Sequence, residues 1–520
     1  MTLVRSYTLL SLPFVIVNLV TLDNQVPWID EVMFLDTSYN AAVHGSWETT
    51  AWYRVAGERP FSTYPPLYQL LASAWIWLFG SRMVVVRSLN LLITFVLGFA
   101  CLRLMNRRGL RPSFFTSALF TMLLWGTYEM AIIYRNGRPD MLCALMFVFT
   151  LMAIERWSLP LATGESRVPS KSTLSSIAVV VTSALLVCSG IQGGVCISAL
   201  WLFLFVSDLI AKSRLRGEDY AKPFPTALML TGILLGLVMV SLFMLWHDHF
   251  VAFASSLVQY SSMLSSIALT VLPYAGDVFD FDVTPYTQKL IETSTPHLLS
   301  GAPVLPASVA EFRSFHILSV VAMVAYASCY RNRLHRLMSD RGFLSLLFAL
   351  YVPFAMSLAG RFAVYYRWMA FLPLLYAVTH VAARHQLWRV VFGVVAVVLT
   401  VSGQTALLSQ PKSDGQMHSF VERQHFKPTD TMVCPFSLFY ELKPVCDTCY
   451  FAGIYPPEYI GHVDYIIEAP DGDEYDQRIS NYAKRLQSDP TVVLTAIDHC
   501  AHPSLTLYKV ERNTSSGVND

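Results

Sequence analysis

The sequence predicts an all-α polytopic membrane protein with a small α/β domain at its C-terminal end, and three observations carry that prediction. First, 54% of the 520 residues are hydrophobic and only 14% are charged, where a soluble chain carries about a quarter charged residues. Second, the apolar residues recur in blocks of roughly 17–22, the length that crosses about 30 Å of hydrocarbon. Third, after Leu408 the composition changes to that of an ordinary soluble domain. The net charge of +1 provides no global basic field, so nucleic acid is excluded as an expected partner and the bilayer is included.

Taken in order, the first apolar segment is "SYTLLSLPFVIVNLVTL". It lacks a small-residue cleavage site and runs into "DNQVPWIDE", so it is expected to be a retained span rather than a signal peptide. Short loops rich in Lys and Arg mark the cytoplasmic side. These are "RLMNRRGLR" at 103–111, "AKSRLRGEDYAK" at 211–222 and "YRNRLHRLMSDR" at 330–341, with smaller ones at 155–157, Lys171 and 383–389. The connections at 23–81 and 247–312 are poor in basic residues for their length. Two apolar stretches, 66–80 and 83–102, precede the first basic loop, and if both crossed, the sidedness would fail. The stretch 66–80 is short, begins at Pro65-Pro66 and ends at Gly80. It is therefore assigned to a helix lying against the outer leaflet. The second span is then 83–104, and the others fall near 112–132, 141–157, 174–189, 192–209, 226–246, 314–331, 342–358, 366–383 and 389–408. The expectation is about eleven crossings, with the N-terminus inside and the C-terminus outside. The first outer loop, 23–82, is expected to hold an amphipathic helix near 31–44 as well as the oily one.

Domain organisation follows as 1–408 within the membrane and 409–520 outside it. In the second part, strand-like runs ("DTMVCPF", "VDYIIEAP", "TVVLTAI", "LTLYKVE") accompany a helical stretch, "YDQRISNYAKRLQS", the mark of a small α/β domain. It holds Cys434, Cys446, Cys449 and Cys500. The Cys446-x-x-Cys449 spacing suits zinc or redox chemistry. In an exported domain disulfides are the expected use, with three pairings open.

No P-loop, strand-linked G-x-G-x-x-G or H-E-x-x-H is present, which removes the common soluble-enzyme motifs. The polar residues instead gather on the expected outer side. Asp30 and Glu31 open the first loop. "YRNGRPD" (134–140) places Arg135, Arg138 and Asp140 between two spans. "WHDHF" (246–250) supplies His247, Asp248 and His249, and "GRFAVYYRW" (360–368) supplies Arg361, Tyr365, Tyr366 and Arg367. Any one arginine at a membrane surface serves as a solvated cap or snorkelling anchor. Several together, on the side where positive charge is disfavoured, point to an anion such as phosphate.

The order of these features is a pattern in itself. An Asp-Glu pair follows the first span, and an amphipathic helix ends in "HGSW". Then come "YPPLYQLLASAWIWLFG", Arg87 near the start of the next span, and an "RPD" in the second outer loop. This order resembles the GT-C glycosyltransferases that use polyprenyl-phosphate sugars, in particular the group containing protein O-mannosyltransferases and bacterial aminoarabinose transferases. The motifs cover residues 1–160, and the span pattern extends the likeness to 408.

The resemblance implies a transfer of a sugar from polyprenyl phosphate to an extracytoplasmic protein, lipid or polysaccharide hydroxyl, with inversion, in the plasma membrane of a bacterium. It implies Asp30 as the catalytic acidic residue, Asp140 as the second-loop acid and Glu31 as an orienting or capping neighbour. Arg87, Arg138, Arg361 and Arg367 are implied as holders of the lipid phosphate. Where some aminoarabinose transferases place an acidic metal ligand, this chain reads "FSTYPP" with Thr63, a departure that counts against such a metal. His247 and His249 keep a divalent metal open. The chemistry agrees with the resemblance. The phosphate diester is a competent leaving group, arginines neutralise the charge that develops on it, and a carboxylate takes the acceptor proton. A lipid transporter or flippase, or a non-catalytic polysaccharide-assembly subunit, are the alternative readings.

Overall fold

The computed structural model describes residues 3–24, 27, 29–49, 51, 64–110, 113–158, 173–214, 225–246, 313–331, 340–358, 364–409, 415–451, 460–469, 474–501 and 504–512. Every stretch read as a crossing is helical. The helices are α1 (Leu3–Thr21), α2 (Ile29–Val43), α3 (Leu67–Phe79), α4 (Met83–Arg107), α5 (Phe114–Gly126), α6 (Tyr128–Tyr134), α7 (Asp140–Ser158), α8 (Thr173–Ser189), α9 (Ile191–Arg214) and α10 (Thr226–Trp246). They continue with α11 (Arg313–Cys329), α12 (Arg341–Leu358), α13 (Trp368–Arg384) and α14 (Gln386–Leu408). Among the described residues α4, α10 and α14 are each long and apolar enough to cross alone. The chain is a multi-pass membrane protein. By length and composition these are three crossings, or four with a bent pair, against the eleven expected. The remaining helices are shorter or carry charge, as α7 does at Asp140, Glu155 and Arg156.

The span expected at 112–132 is broken. Helices α5 and α6 meet at Thr127 with a bend of 64°. A broken helix frees carbonyls that hydrocarbon cannot satisfy, and neighbouring side chains take them up here. Trp125 O accepts from Tyr134 Oη at 2.6 Å and from Gln404 Nε2 at 3.2 Å. Close approach makes this work: a Cβ on Gly403 of α14 would run into the Gly126 carbonyl.

The short helix α3 is as expected from its prolines and Gly80. Its 13 residues reach about 20 Å, too little to cross. Gly80 ends it at φ 96°, a conformation that suits glycine. This lets α4 start within three residues, and Trp75 Nε1 closes the hairpin on Val85 O at 2.8 Å. Tyr68, Gln69, Ala72 and Ile76 face inward, while Trp77, Leu78 and Phe79 stay exposed, as suits a helix bathed in lipid on one side.

Past α14 the chain forms α15 (Gly415–Arg423), β1 (Thr431–Cys434), the one-turn α16 (Phe439–Leu442), β2 (Thr448–Phe451), β3 (Tyr465–Glu468), α17 (Glu474–Gln487), β4 (Val492–Ala501) and β5 (Ser504–Arg512). The sheet order is β2-β1-β3-β5-β4. The β1 strand pairs in parallel with β2 and β3, and β5 pairs antiparallel with β3 and β4. Alternation along β1 divides its side chains between two layers. Val433 joins the core under α17, whereas Met432 and Cys434 join the large core that runs on into the helical bundle. The disulfide expectation is corrected, because all nine cysteines are unbridged thiols. Cys434, Cys446 and Cys449 lie together, and hydrogen bonds from the first two hold the Cys449 thiol well below its ordinary value.

Candidate active site

Asp30 and Glu31 occupy the first turn of α2, where the unpaired N–H groups and the helix dipole favour negative charge. Successive residues on a helix point about 100° apart, so the two carboxylates reach different surroundings.

Glu31 is fully buried and its carboxylate is closed on several sides. Arg87 of α4 grips it through Nε at 2.7 Å and Nη2 at 2.6 Å. The Gly137 amide donates to it at 3.2 Å, and Tyr440 Oη donates at 2.8 Å. Arg87 itself is fully buried and also donates through Nη1 to Leu22 O at 2.7 Å. One carboxylate thereby joins the end of α1, α2, α4, the second loop and the C-terminal domain. A charge pair without solvent is strong only when its remaining lone pairs and protons are met, and this one is well met.

Asp30 is different. Its side chain keeps 20% exposure and reaches Arg138 Nη1 at 2.8 Å. The same guanidinium holds the buried Asp140 through Nε at 2.9 Å. The Arg138 guanidinium also lies 4.9 Å from the centre of the Phe34 ring, which meets Tyr64 edge-on at 4.5 Å. The "NGRPD" segment explains how two acids and one base converge. Asn90 of α4 donates to the Arg138 carbonyl at 2.9 Å and also to that of Asn136. Pro139 leads directly into α7, with the Cys143 amide on its carbonyl at 2.9 Å, so Asp140 sits in the first helical turn. Gly137 cannot carry a side chain here, since a Cβ would collide with Leu35 and lie 3.2 Å from Glu31 Cγ. Arg135, the other arginine of this loop, serves α1 and donates to Asn18 Oδ1 at 3.0 Å and Thr21 Oγ1 at 2.8 Å.

The structure thus brings together Asp30, Glu31, Arg87, Arg138 and Asp140 of the residues named from sequence. Arg87, read from sequence as a phosphate ligand, is committed to Glu31. Arg367 ends the 3-10 turn Val364–Arg367, is buried, and belongs to a segment that packs against α6. Arg361, His247, His249 and Thr63 lie outside the described residues. Among the described residues no group of three or more His, Cys, Asp or Glu side chains is arranged to hold a metal ion. Asp30 and Asp140 do not fit a divalent cation in this arrangement, because both converge on a guanidinium that already supplies positive charge.

Sequence reasoning missed four participants. Asp36 and Lys443 form a second buried ion pair at 2.9 Å. Burial works against the charge on Lys443, and Asp36 together with Cys449 and Cys434 more than offsets it, so the ammonium is held above its ordinary value. Tyr440 is held well above the usual phenol range by burial and by Glu31, so it stays a donor. Glu129, on α6, accepts the Ser314 amide at 2.7 Å and caps α11. Nothing in "FYELK" or "DTSYN" read as a linear motif marks these residues; a charged residue three or four positions from an aromatic is common on any surface.

No protein-family model matches the chain, and no curated protein matches it. Among solved structures it is similar to ArnT of Cupriavidus metallidurans bound to undecaprenyl phosphate, with 14% identity, TM-score 0.47, and 99% of each chain covered. The apo form of that protein gives 13% identity and TM-score 0.46 over 98% of this chain and 99% of that one. The oligosaccharyltransferase AglB of Archaeoglobus fulgidus, in complex with an inhibitory peptide and a dolichol-phosphate, gives 11% identity and TM-score 0.47 over 99% of this chain and 75% of that one.

Proposed function

We propose that this chain is a membrane glycosyltransferase that moves a sugar from a polyprenyl-phosphate donor to a hydroxyl on an extracytoplasmic acceptor. The observation that carries the reading is the division of labour at α2. Glu31 is closed in an ion pair, while Asp30 is held by Arg138 with part of its carboxylate still open. A general base must be both aimed and reachable, and of the two adjacent acids only Asp30 is both. Arg138 aims it, with Asp140 fixing the far side of the guanidinium. The acceptor hydroxyl loses its proton to Asp30 as its oxygen forms the new bond to the anomeric carbon. The bond from that carbon to the phosphate oxygen breaks on the opposite face, which inverts the configuration. The departing phosphate monoester carries its charge to a cationic partner. Arg367, buried at the end of the 3-10 turn, is the candidate among the described residues, and Arg361 keeps the role that the sequence suggests. Helix α3, apolar on its exposed side, forms the floor on which a lipid donor lies.

Two measurements test this. Mass spectrometry of lipid co-purifying with the protein should find a polyprenyl phosphate, with or without a sugar; a preparation that carries other lipids and binds no added polyprenyl phosphate sinks the reading. Sidedness is tested by a membrane-impermeant thiol reagent on a background without reactive cysteines. Glu48→Cys should label from outside intact cells and Arg331→Cys only after permeabilisation. The reverse pattern puts Asp30 on the wrong side for an exported acceptor.

A further inference from the structure

Among the described residues, one turn of the C-terminal domain makes two buried polar contacts with α2. Tyr440 and Lys443 stand three residues apart, on one face of the α16 turn, and each makes a buried polar contact with α2. Tyr440 donates to Glu31 at 2.8 Å, and Lys443 pairs with Asp36 at 2.9 Å. Next to Tyr440 in the chain, Phe439 meets Tyr39 of α2 edge-on at 5.8 Å. Asp36 is itself fixed from the other side by Thr49 Oγ1 at 2.7 Å and by the Ala51 amide at 3.3 Å.

If the purpose were adhesion alone, apolar side chains of similar volume would do as well or better, because a buried ion pair repays its desolvation poorly. Directional contacts with satisfied partners instead specify one arrangement. The arrangement specified is that of the helix bearing Asp30. A displacement of α2 by about 1 Å would separate Asp30 from Arg138, and errors of that size cost about a hundredfold in rate when a reacting group is misplaced.

We infer that Tyr440 and Lys443 are positioning residues for the transfer reaction: the α16 turn holds α2 in the register at which Asp30 meets Arg138. The C-terminal domain is then a working part of the catalytic site. This rests on Asp30 acting as the base.

The test uses the full-length purified protein. Tyr440→Phe removes one hydroxyl, and the neutral pair Asp36→Asn with Lys443→Gln removes the buried charges while keeping hydrogen-bonding groups. Three quantities are read: amide exchange across 29–43 and across α4, undecaprenyl phosphate bound per chain, and turnover with a polyprenyl-phosphate sugar that the wild-type chain accepts from a panel of pentose and hexose donors. Both variants should bind undecaprenyl phosphate with unchanged stoichiometry and keep α4 protected. Exchange in 29–36 should quicken, and kcat should fall about tenfold to a hundredfold with the donor KM within about twofold. Unchanged exchange at α2, or quickened exchange with full kcat, overturns the inference. Normal turnover in Asp30→Asn would retire the base assignment and the inference with it. Normal turnover in Tyr440→Phe alongside a dead Asp30→Asn would retire the inference and leave the base assignment standing.

Discussion

One peptide bond separates two regions of different build. Around Glu31 four hydrogen bonds from Arg87, Gly137 and Tyr440 close on one carboxylate and solvent is shut out. Around Asp30 two acids share one guanidinium, and one of them remains partly exposed. The contrast teaches that adjacent charges on a helix are separate devices. The first-turn position favours both for the same electrostatic reason, and the direction of each side chain then closes one in a buried ion pair and leaves the other partly open.

The sharpest way to break this contrast is to exchange the chemistry of each acid for its amide. Asp30→Asn retains shape but no longer accepts a proton. Transfer should fall about 10²–10⁴-fold with undecaprenyl phosphate still bound and the thermal midpoint little changed. A variant that turns over at more than a tenth of the normal rate would place the base elsewhere, with Asp140 next. Glu31→Gln should show the opposite signature. It leaves Arg87 charged and buried without its counterion, at a cost of about 3–5 kcal/mol. Thermal unfolding should report a large loss, and the protein that remains folded should lose about tenfold to a hundredfold in kcat as α2 leaves its register. If Glu31→Gln folds as well as the parent but is inactive, the two acids share one function and the contrast fails.

Smaller effects sharpen the boundary between the regions. Gly137→Ala forces a methyl group against Leu35 and Glu31 and should destabilise by about 1–3 kcal/mol, the usual range for overpacking. Chemical denaturation measures it, and a neutral result would mean that the second loop is looser than its contacts imply. The smallest change is expected at the other end of the bundle. Asp340 there accepts from Tyr330 at 2.6 Å and pairs with Arg384 at 2.9 Å. Because the Arg384 side chain is 53% exposed, Arg384→Gln should cost under about 1 kcal/mol. Raising the salt concentration should shrink that difference further. A cost matching that of Glu31→Gln would show that burial is not what separates strong pairs from weak ones in this protein.

Much of the fold was legible because hydropathy blocks and proline–glycine punctuation act over short windows. The helices at 66–80 and near 31–44, the strand runs after 408 and the placement of Asp30 beyond the first span all follow from local chemistry. The break at Thr127 was hidden because "WGTYEM" stays apolar enough to read as continuous, and its stabilisers, Gln404 and Gly403, are supplied from far along the chain. The candidate site was legible in its residues more than in its pairings. Asp30, Arg138 and Asp140 all appear among the sequence candidates, but Arg87 reads as a phosphate ligand until Glu31 is seen across from it. Tyr440 and Lys443 were not legible at all, since their meaning depends on which face of a distant domain turns toward α2.

The closure around Glu31 also orders events in time. Its acid is synthesised early, Arg87 follows soon after, Gly137 comes with the next loop, and Tyr440 lies 409 residues downstream of it. A nascent chain inserted up to α14 therefore holds a buried carboxylate with one donor still to come. That hydrogen bond can form only once residue 440 has been made and brought to the first loop. A ribosome stalled short of residue 440 would leave a helical bundle whose α2 lacks the Tyr440 hydrogen bond to Glu31.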